Sequence, residues 1–149
     1  MKHLEIIMNI LVRNMMRKQV LTIDSSLSVK DAAKMMSDSG VGCLVVTERN
    51  VPVGILTERD FATRITAQEK SSTTCLRDVM SSPLISISPE STATKLAELM
   101  KEKKIHKVPV LEGNQIIGIV TATDLIRKCV LDSDLEMKQL CSSFAQMAF

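Results

Sequence analysis

The chain of 149 residues contains no tryptophan and no tyrosine, and only three phenylalanines. Proteins that bind single-stranded nucleic acid stack the bases on aromatic side chains. The formal net charge is +2, which is too small to favour a nucleic acid or an anionic membrane surface as a partner. Both features argue against nucleic-acid binding.

Histidine and cysteine are scarce as well. The histidines are His3 and His106, and the four cysteines form no Cys-x-x-Cys pair. This spacing cannot compose a tetrahedral metal site, and no set of nucleophile, base and orienting group is visible. The sequence therefore predicts no metal site and no enzymatic activity.

Long apolar runs are also missing. No stretch approaches the roughly 20 apolar residues that span a bilayer. The apolar segment 6–12 is short, is interrupted by Asn9 and is not followed by a small-residue cleavage site. We therefore expect a cytoplasmic protein with no membrane segment. The Arg17-Lys18 and Arg127-Lys128 pairs are interpreted as solvated surface.

The most informative feature of the chain is an internal repeat. A shift of 64 positions aligns segments 12–16 with 76–80, 20–23 with 84–87, and Gly54 with Gly118. The match runs without a gap over about fifty residues, which indicates a duplicated unit.

Each copy predicts a β-α-β-β-α unit. The strands are expected at 20–23, 43–46 and 51–56, and again at 84–87, 107–110 and 116–120. A helix with apolar residues at i, i+3, i+4 and i+7 follows the first strand, and Ser28 with Asp31 caps it. A second helix closes each unit. One unit would leave much apolar surface exposed, so we expect an α+β (α/β) fold in which two units pack with pseudo-two-fold symmetry.

Two positions predict local differences between the copies. Gly40 should end the first helix in the left-handed conformation, whereas Lys104 stands at the equivalent place and predicts a different helix end. Pro109 cannot donate a hydrogen bond to a neighbouring strand, so it should lie at a sheet edge or a strand start.

Both copies end their third strand with one motif, at 54–61 and at 118–125. It reads Gly, two apolar residues, Thr, two variable residues, Asp and an apolar residue. Thr at the N-cap and Asp three residues later form a capping box. A hydroxyl, a carboxylate and helix amides facing one cleft could hold a phosphate and a sugar diol. The alternative is that the motif only starts a helix.

Tandem units of this kind resemble the cystathionine-β-synthase (CBS) domain pair, also called a Bateman module. The entry segments 13–16 and 77–80 and the basic-residue-then-Pro-Val strand at 105–110 carry the resemblance further. It places an N-terminal extension at 1–11, CBS domains at 12–67 and 76–131, a linker at 68–75 and a helical tail at 132–149. The tail could make an oligomer contact or be a frayed end.

The resemblance implies a stand-alone regulatory module that dimerises and modulates a partner protein. The family binds adenosyl ligands such as AMP, ADP, ATP or S-adenosylmethionine in clefts between the two repeats, with no required cofactor. By position, Asp60 and Asp124 would accept ribose hydroxyls, and Thr57 and Thr121 would bond ribose or phosphate. The backbone around Thr22, Ile23, Ser86 and Ile87 would line the adenine pockets. The cationic side chains that could face a ligand phosphate are His106, Lys107 and Arg59.

The two copies differ in charge at these positions. Where the second has His106 and Lys107, the first has Gly42 and Cys43. We therefore expect one competent nucleotide site and one weak or empty site. Lys107 and Arg59 could instead be solvated, and the whole chain could be a ligand-free dimerisation scaffold.

Overall fold

The computed structural model describes residue 5, residues 8–131 and residue 142, with the side chains of residues 130 and 131 left aside. Apart from Ser142, the predicted tail at 132–149 lies outside the described residues. The chain forms two compact units. We call Val20–Ile85 the first unit, and Met1–Gln19 with Ser86–Phe149 the second unit. Within the described residues, no helix has both the length and the apolar character that crossing a bilayer requires.

The first unit has the predicted element order. It contains β1 (Thr22–Asp24), α1 (Val29–Ser39), β2 (Cys43–Glu48) and β3 (Val51–Thr57). Strand β1 pairs parallel to β2, and β3 pairs antiparallel to β2. The closing helix begins as one α-helical turn, α2 (Glu58–Asp60), and continues as a π-helical segment (Phe61–Thr66) that the sequence did not predict. The mixed α+β class is confirmed.

The second unit contains α3 (Ala93–Lys103), β4 (Lys107–Glu112), β5 (Gln115–Thr121) and α4 (Ala122–Leu131). Strands β4 and β5 pair antiparallel. The strand expected at 84–87 is reduced to one parallel bridge between Ile87 and Val110.

Pro109 explains this loss. In the first unit the equivalent residue, Val45, donates its N–H to the Leu21 carbonyl at 3.0 Å. Proline has no N–H and cannot repeat that bond, although its carbonyl still accepts from the Ile87 N–H at 3.0 Å. The backbone of Pro109 thus faces away from β5, towards Ile87. Strand β4 is at the edge of a two-stranded sheet, which agrees with the edge position predicted for this proline.

The entry segments of the repeats are exchanged between the units. Residues 12–17 pack with residues 86–131, and Arg17 and Ile119 exchange backbone hydrogen bonds of 2.8 and 2.9 Å. Residues 76–81 pack in the first unit, where Ser81 and Ile55 exchange bonds of 2.9 and 3.0 Å. Each entry segment therefore forms one antiparallel bridge with the last strand of the other repeat, Arg17 with β5 and Ser81 with β3.

Each unit has its own hydrophobic core, and the exchanged segment is part of it. Leu76 and Val79 belong to the core of the first unit, while Val12 and Met15 belong to that of the second. The segment approaches so closely that a Cβ atom at Gly118 would lie 2.7 Å from Met16 Sδ and 2.8 Å from the Arg17 carbonyl oxygen. Gly54 meets Met80 and Ser81 in the same way.

The ends of the first helices are alike in both units. Gly40 adopts the predicted left-handed conformation, with φ 63° and ψ 33°. The different end expected at Lys104 is wrong, because Lys104 adopts φ 54° and ψ 46°. In both units the residue after the cap donates its N–H to a helix carbonyl at 3.1 Å, Val41 to Met36 and Ile105 to Met100. These backbone bonds hold Lys104 in a conformation that its side chain disfavours.

Candidate functional site

The two predicted aspartates lie at equivalent places, in the first turn of the helix that follows the last strand of each unit. Thr57 and Thr121 end β3 and β5, and Asp60 and Asp124 follow three residues later. Both aspartates are 5% exposed and are the buried charged side chains among the described residues. A buried carboxylate requires hydrogen-bond partners, and these partners define the site.

Asp124 is held through both of its oxygens. Its Oδ2 atom accepts from the Thr121 N–H at 3.0 Å and from the Thr121 hydroxyl at 2.7 Å, and the Asp124 N–H donates back to Thr121 Oγ1 at 3.2 Å. Its Oδ1 atom accepts from Arg17 Nε at 3.1 Å and lies 3.7 Å from Arg127 Nη1. The predicted capping box is confirmed, with two guanidinium groups added.

Asp60 has the same arrangement with less positive charge. Its Oδ2 atom accepts from the Thr57 N–H at 2.8 Å and from the Thr57 hydroxyl at 3.2 Å. Its Oδ1 atom accepts from the Ser81 hydroxyl at 3.0 Å and lies 3.3 Å from Arg64 Nε. A neutral hydroxyl thus takes the place of one of the two guanidinium groups.

The helix amides expected to receive an anion are partly occupied by the chain itself. The Ala122 N–H donates to the His106 carbonyl at 2.8 Å, and the Glu58 N–H donates to the Gly42 carbonyl at 3.2 Å. The amides of Thr57 and Thr121 donate to the aspartates. A phosphate at either helix start would therefore depend more on side-chain cations than on these amides.

The remaining predicted residues divide between the units. Lys107 lies directly opposite Thr121 in the β4–β5 pairing, so the second unit brings His106 and Lys107 to the start of α4. At the equivalent place in the first unit, Cys43 lies opposite Thr57. The exposed Arg59 lies in α2.

The predicted adenine-pocket residues lie on the first strand of each unit or its remnant. Ile23 and Ile87 belong to the two cores, whereas Thr22 and Ser86 are exposed. Thr22, Ile23 and Asp60 therefore belong to the first unit, and Ser86, Ile87 and Asp124 to the second. Their roles as ligand contacts stay predictions.

Sequence reasoning missed the partners of the aspartates. Arg17 and Arg127 are more than half exposed, in agreement with their interpretation as surface residues, but each also pairs with Asp124. The repeat contained a signal: Arg17 and Ser81 are 64 positions apart and therefore equivalent. What the sequence could not show was that the entry segment joins the sheet of the other repeat.

Comparison with protein families identifies the repeats. The model of the CBS domain matches residues 12–67 and 76–131. Across the described residues, no group of three or more His, Cys, Asp or Glu side chains is arranged to hold a metal ion.

The proteins with similar sequences include both CBS-domain proteins and enzymes that carry such domains. The chain is 35% identical over 114 residues to the CBS domain-containing protein YhcV of Bacillus subtilis, covering 76% of this chain and 81% of that protein. It is 34% identical over 119 residues to arabinose 5-phosphate isomerase KdsD of Francisella tularensis, covering 78% of this chain but only 36% of the isomerase.

Among solved structures, the fold is similar to a protein with CBS domains from Burkholderia ambifaria. The TM-score is 0.73 at 30% identity, over 79% of this chain and 88% of the other.

Proposed function

Because this chain belongs to the CBS-domain family and carries two copies of the domain in tandem, we propose that it is a regulatory module that senses an adenosyl ligand. CBS domains are regulatory modules that often bind adenosyl ligands. The proposed ligands are AMP, ADP, ATP or S-adenosylmethionine, and the bound module modulates a partner protein. It acts as a cytoplasmic homodimer, as a regulator and not as an enzyme.

The observation that supports this proposal is the pair of buried carboxylates at the helix starts. A carboxylate can accept two hydrogen bonds from the cis-diol of a ribose, and each charge-assisted bond contributes about 1.5–3 kcal/mol. The Asp124 side chain is 5% exposed and that of its partner Arg17 is 57% exposed, so a ligand would reach the Oδ1 atom by displacing Arg17. A few such bonds with burial of the base would give micromolar affinity, about −8 kcal/mol.

A ligand-free scaffold is the second candidate function. It is favoured by the fact that both aspartates already have hydrogen-bond partners within their own units. On this hypothesis Thr57 and Thr121 are only helix caps. Replacing either by Ala then costs about 1 kcal/mol of stability, and no adenosyl compound changes the stability of the wild type or of the variants.

A thermal-shift series separates the two functions. The wild type and the variants Asp60→Asn and Asp124→Asn are heated with millimolar AMP, ADP, ATP, S-adenosylmethionine and adenosine. A ligand that binds the folded state raises the melting temperature. Asp31→Asn is the matched control, because Asp31 caps α1 in the same way but is exposed.

We expect at least one ligand to raise the melting temperature of the wild type and of Asp31→Asn, with a smaller rise in the two site variants. The scaffold hypothesis predicts no rise for any of the four proteins. Since the chain has no Trp or Tyr, adenine nucleotide that co-purifies with it would also be visible as an absorbance band near 260 nm.

A further inference from the structure

We propose that Arg17 makes the Asp124 site select adenosyl ligands that carry a phosphate, whereas Ser81 leaves the Asp60 site without this selection. The inference rests on the proposed function and assigns a ligand class to each of the two sites. Its basis is the substitution of a cation by a hydroxyl at equivalent positions of the repeats.

The ion pair between Arg17 and Asp124 competes with a ribose for the same carboxylate oxygen. The Oδ2 atom of Asp124 is occupied by Thr121, so a diol would reach the carboxylate mainly through Oδ1, the atom that Arg17 holds at 3.1 Å. Taking a partner away from a buried charge is costly unless another partner replaces it. The freed guanidinium, whose side chain is 57% exposed, would return to water and would regain a charge-assisted bond only if the ligand supplied an anion.

A ligand phosphate supplies that anion. In the exchange, the ribose hydroxyls replace Arg17 at Asp124, and the guanidinium moves to the phosphate, which it can bind through two parallel N–H donors. Adenosine offers the hydroxyls but no anion, so the guanidinium loses its charge-assisted bond to Asp124 and gains none from the ligand. The Asp124 site therefore discriminates between AMP and adenosine.

The Asp60 site lacks this exchange. Ser81 donates a neutral hydrogen bond at 3.0 Å, and the hydroxyl can turn to water or ligand without leaving a charge unpaired. Arg64 lies four residues after Asp60 on the same helical segment, so it is not released when Ser81 gives way. Adenosine and AMP should bind there with more similar affinities.

Other charges near the two helix starts act in the same direction. The second unit places Arg127 at 3.7 Å from Asp124, and Lys107 opposite Thr121. The first unit has Arg64 at 3.3 Å from Asp60, and its helix begins with an acidic residue, Glu58, followed by the exposed Arg59. The surroundings of Asp124 are thus the more favourable for a phosphate.

The test measures AMP and adenosine binding by calorimetry, using the full chain with one site disabled at a time. Asp60→Asn leaves the Asp124 site, and there we expect AMP to bind at least about tenfold more tightly than adenosine. Adding Arg17→Ser should bring the two affinities close together, and Arg17→Lys should keep much of the preference. In the Asp124→Asn background, Ser81→Arg should create a preference for AMP.

The outcomes separate this inference from the proposed function. If Arg17→Ser weakens AMP and adenosine equally, Arg17 only positions Asp124, and the selection is overturned while the sensor function stands. If no adenosyl compound binds the wild type, both are overturned. The backbone bonds of Arg17 with Ile119 do not depend on its side chain, so circular dichroism should show a folded variant. If Arg17→Ser does not fold, the Ser81→Arg variant decides. The inference is overturned if the ratio of its affinities for AMP and adenosine equals that of the Asp124→Asn protein with Ser81 intact.

Discussion

Arg17 and Ser81 occupy the same position of two repeats, and each donates a hydrogen bond to the Oδ1 atom of a buried aspartate in the unit that it joins. The distances are 3.1 Å to Asp124 and 3.0 Å to Asp60. The duplication has preserved the geometry around the carboxylate while changing the charge of one donor. The charge of this donor therefore distinguishes the surroundings of the two aspartates, together with the π-helical segment that follows Asp60 alone.

The close approach of the entry segment to β5 predicts that Gly118 accepts no side chain. Gly118→Ala would place its methyl group against Met16 Sδ and the Arg17 carbonyl, and such overpacking typically costs about 1–3 kcal/mol. Urea unfolding measures the loss. Gly113→Asn is the control, because Gly113 has φ 63° and a Cβ atom added there would meet no other atom within 4 Å, and Asn tolerates that conformation. Equal stability of Gly118→Ala and wild type would contradict this packing.

Lys104 predicts a stabilising substitution. Its φ of 54° is a conformation that glycine adopts without a steric penalty, so Lys104→Gly should raise the free energy of unfolding by about 1 kcal/mol. Lys103→Gly, one residue earlier in the last turn of α3, should instead lower it by a similar amount, about 1 kcal/mol. Thermal and urea unfolding of the two variants measure whether each change in stability has the expected sign. A loss of stability in Lys104→Gly would show that the left-handed conformation of Lys104 is not strained.

The cap of α1 predicts an acid-sensitive contribution to stability. The Ser28 backbone N–H, and then its hydroxyl, donate to Asp31 and lower the pKa of that carboxyl. Because the folded pKa is the lower one, this contribution is present above the unfolded pKa of about 3.9 and is lost as the pH falls through the folded value. Asp31→Asn should therefore be less stable than wild type at neutral pH, with the difference shrinking in acid.

Urea unfolding between neutral pH and strong acid measures this difference. Asp38→Asn, near the other end of the same helix, is the matched control and should keep the acid-dependent contribution of Asp31. A difference between Asp31→Asn and wild type that does not change with pH would show that the charge of Asp31 has no part in the cap.

The exchanged entry segments predict which fragments fold. Fragment Val20–Ile85 contains Leu76 and Val79, which complete the core of the first unit. Fragment 12–67 follows the sequence repeat but lacks both residues. Circular dichroism and urea unfolding should show more secondary structure and a more cooperative transition for Val20–Ile85. A fragment 12–67 of equal or greater stability would contradict the division into these units.

The sequence was sufficient to predict most of the local structure. The 64-residue shift identified the duplication, and the apolar spacing placed α1 and every predicted strand except that at 84–87 within a few residues. Capping chemistry identified Ser28 with Asp31, and the two Thr-Asp pairs, because each box depends on residues only three positions apart. Such short-range interactions can be recognised without knowledge of the packing.

Interactions between distant segments were not predictable in this way. The partners of Asp124 depend on where residues 12–17 pack, and no local pattern specifies that an entry segment joins the sheet of the other repeat. The reduction of the strand at 84–87 to one bridge could be predicted only if it was known that the backbone of Pro109 faces Ile87. The end of α3 was mispredicted because the backbone bonds that close the helix outweigh the preference of Lys104.

The exchange of entry segments also bears on how the chain arose. A polypeptide with a single copy would carry a segment suited to the sheet of another copy, and its own sheet would lack a neighbour beside the third strand. Such an ancestor could complete both sheets by pairing with an identical molecule, each lending its arm to the other. Gene fusion would then have turned a reciprocal exchange between molecules into one within a single chain, and so released the two halves to diverge.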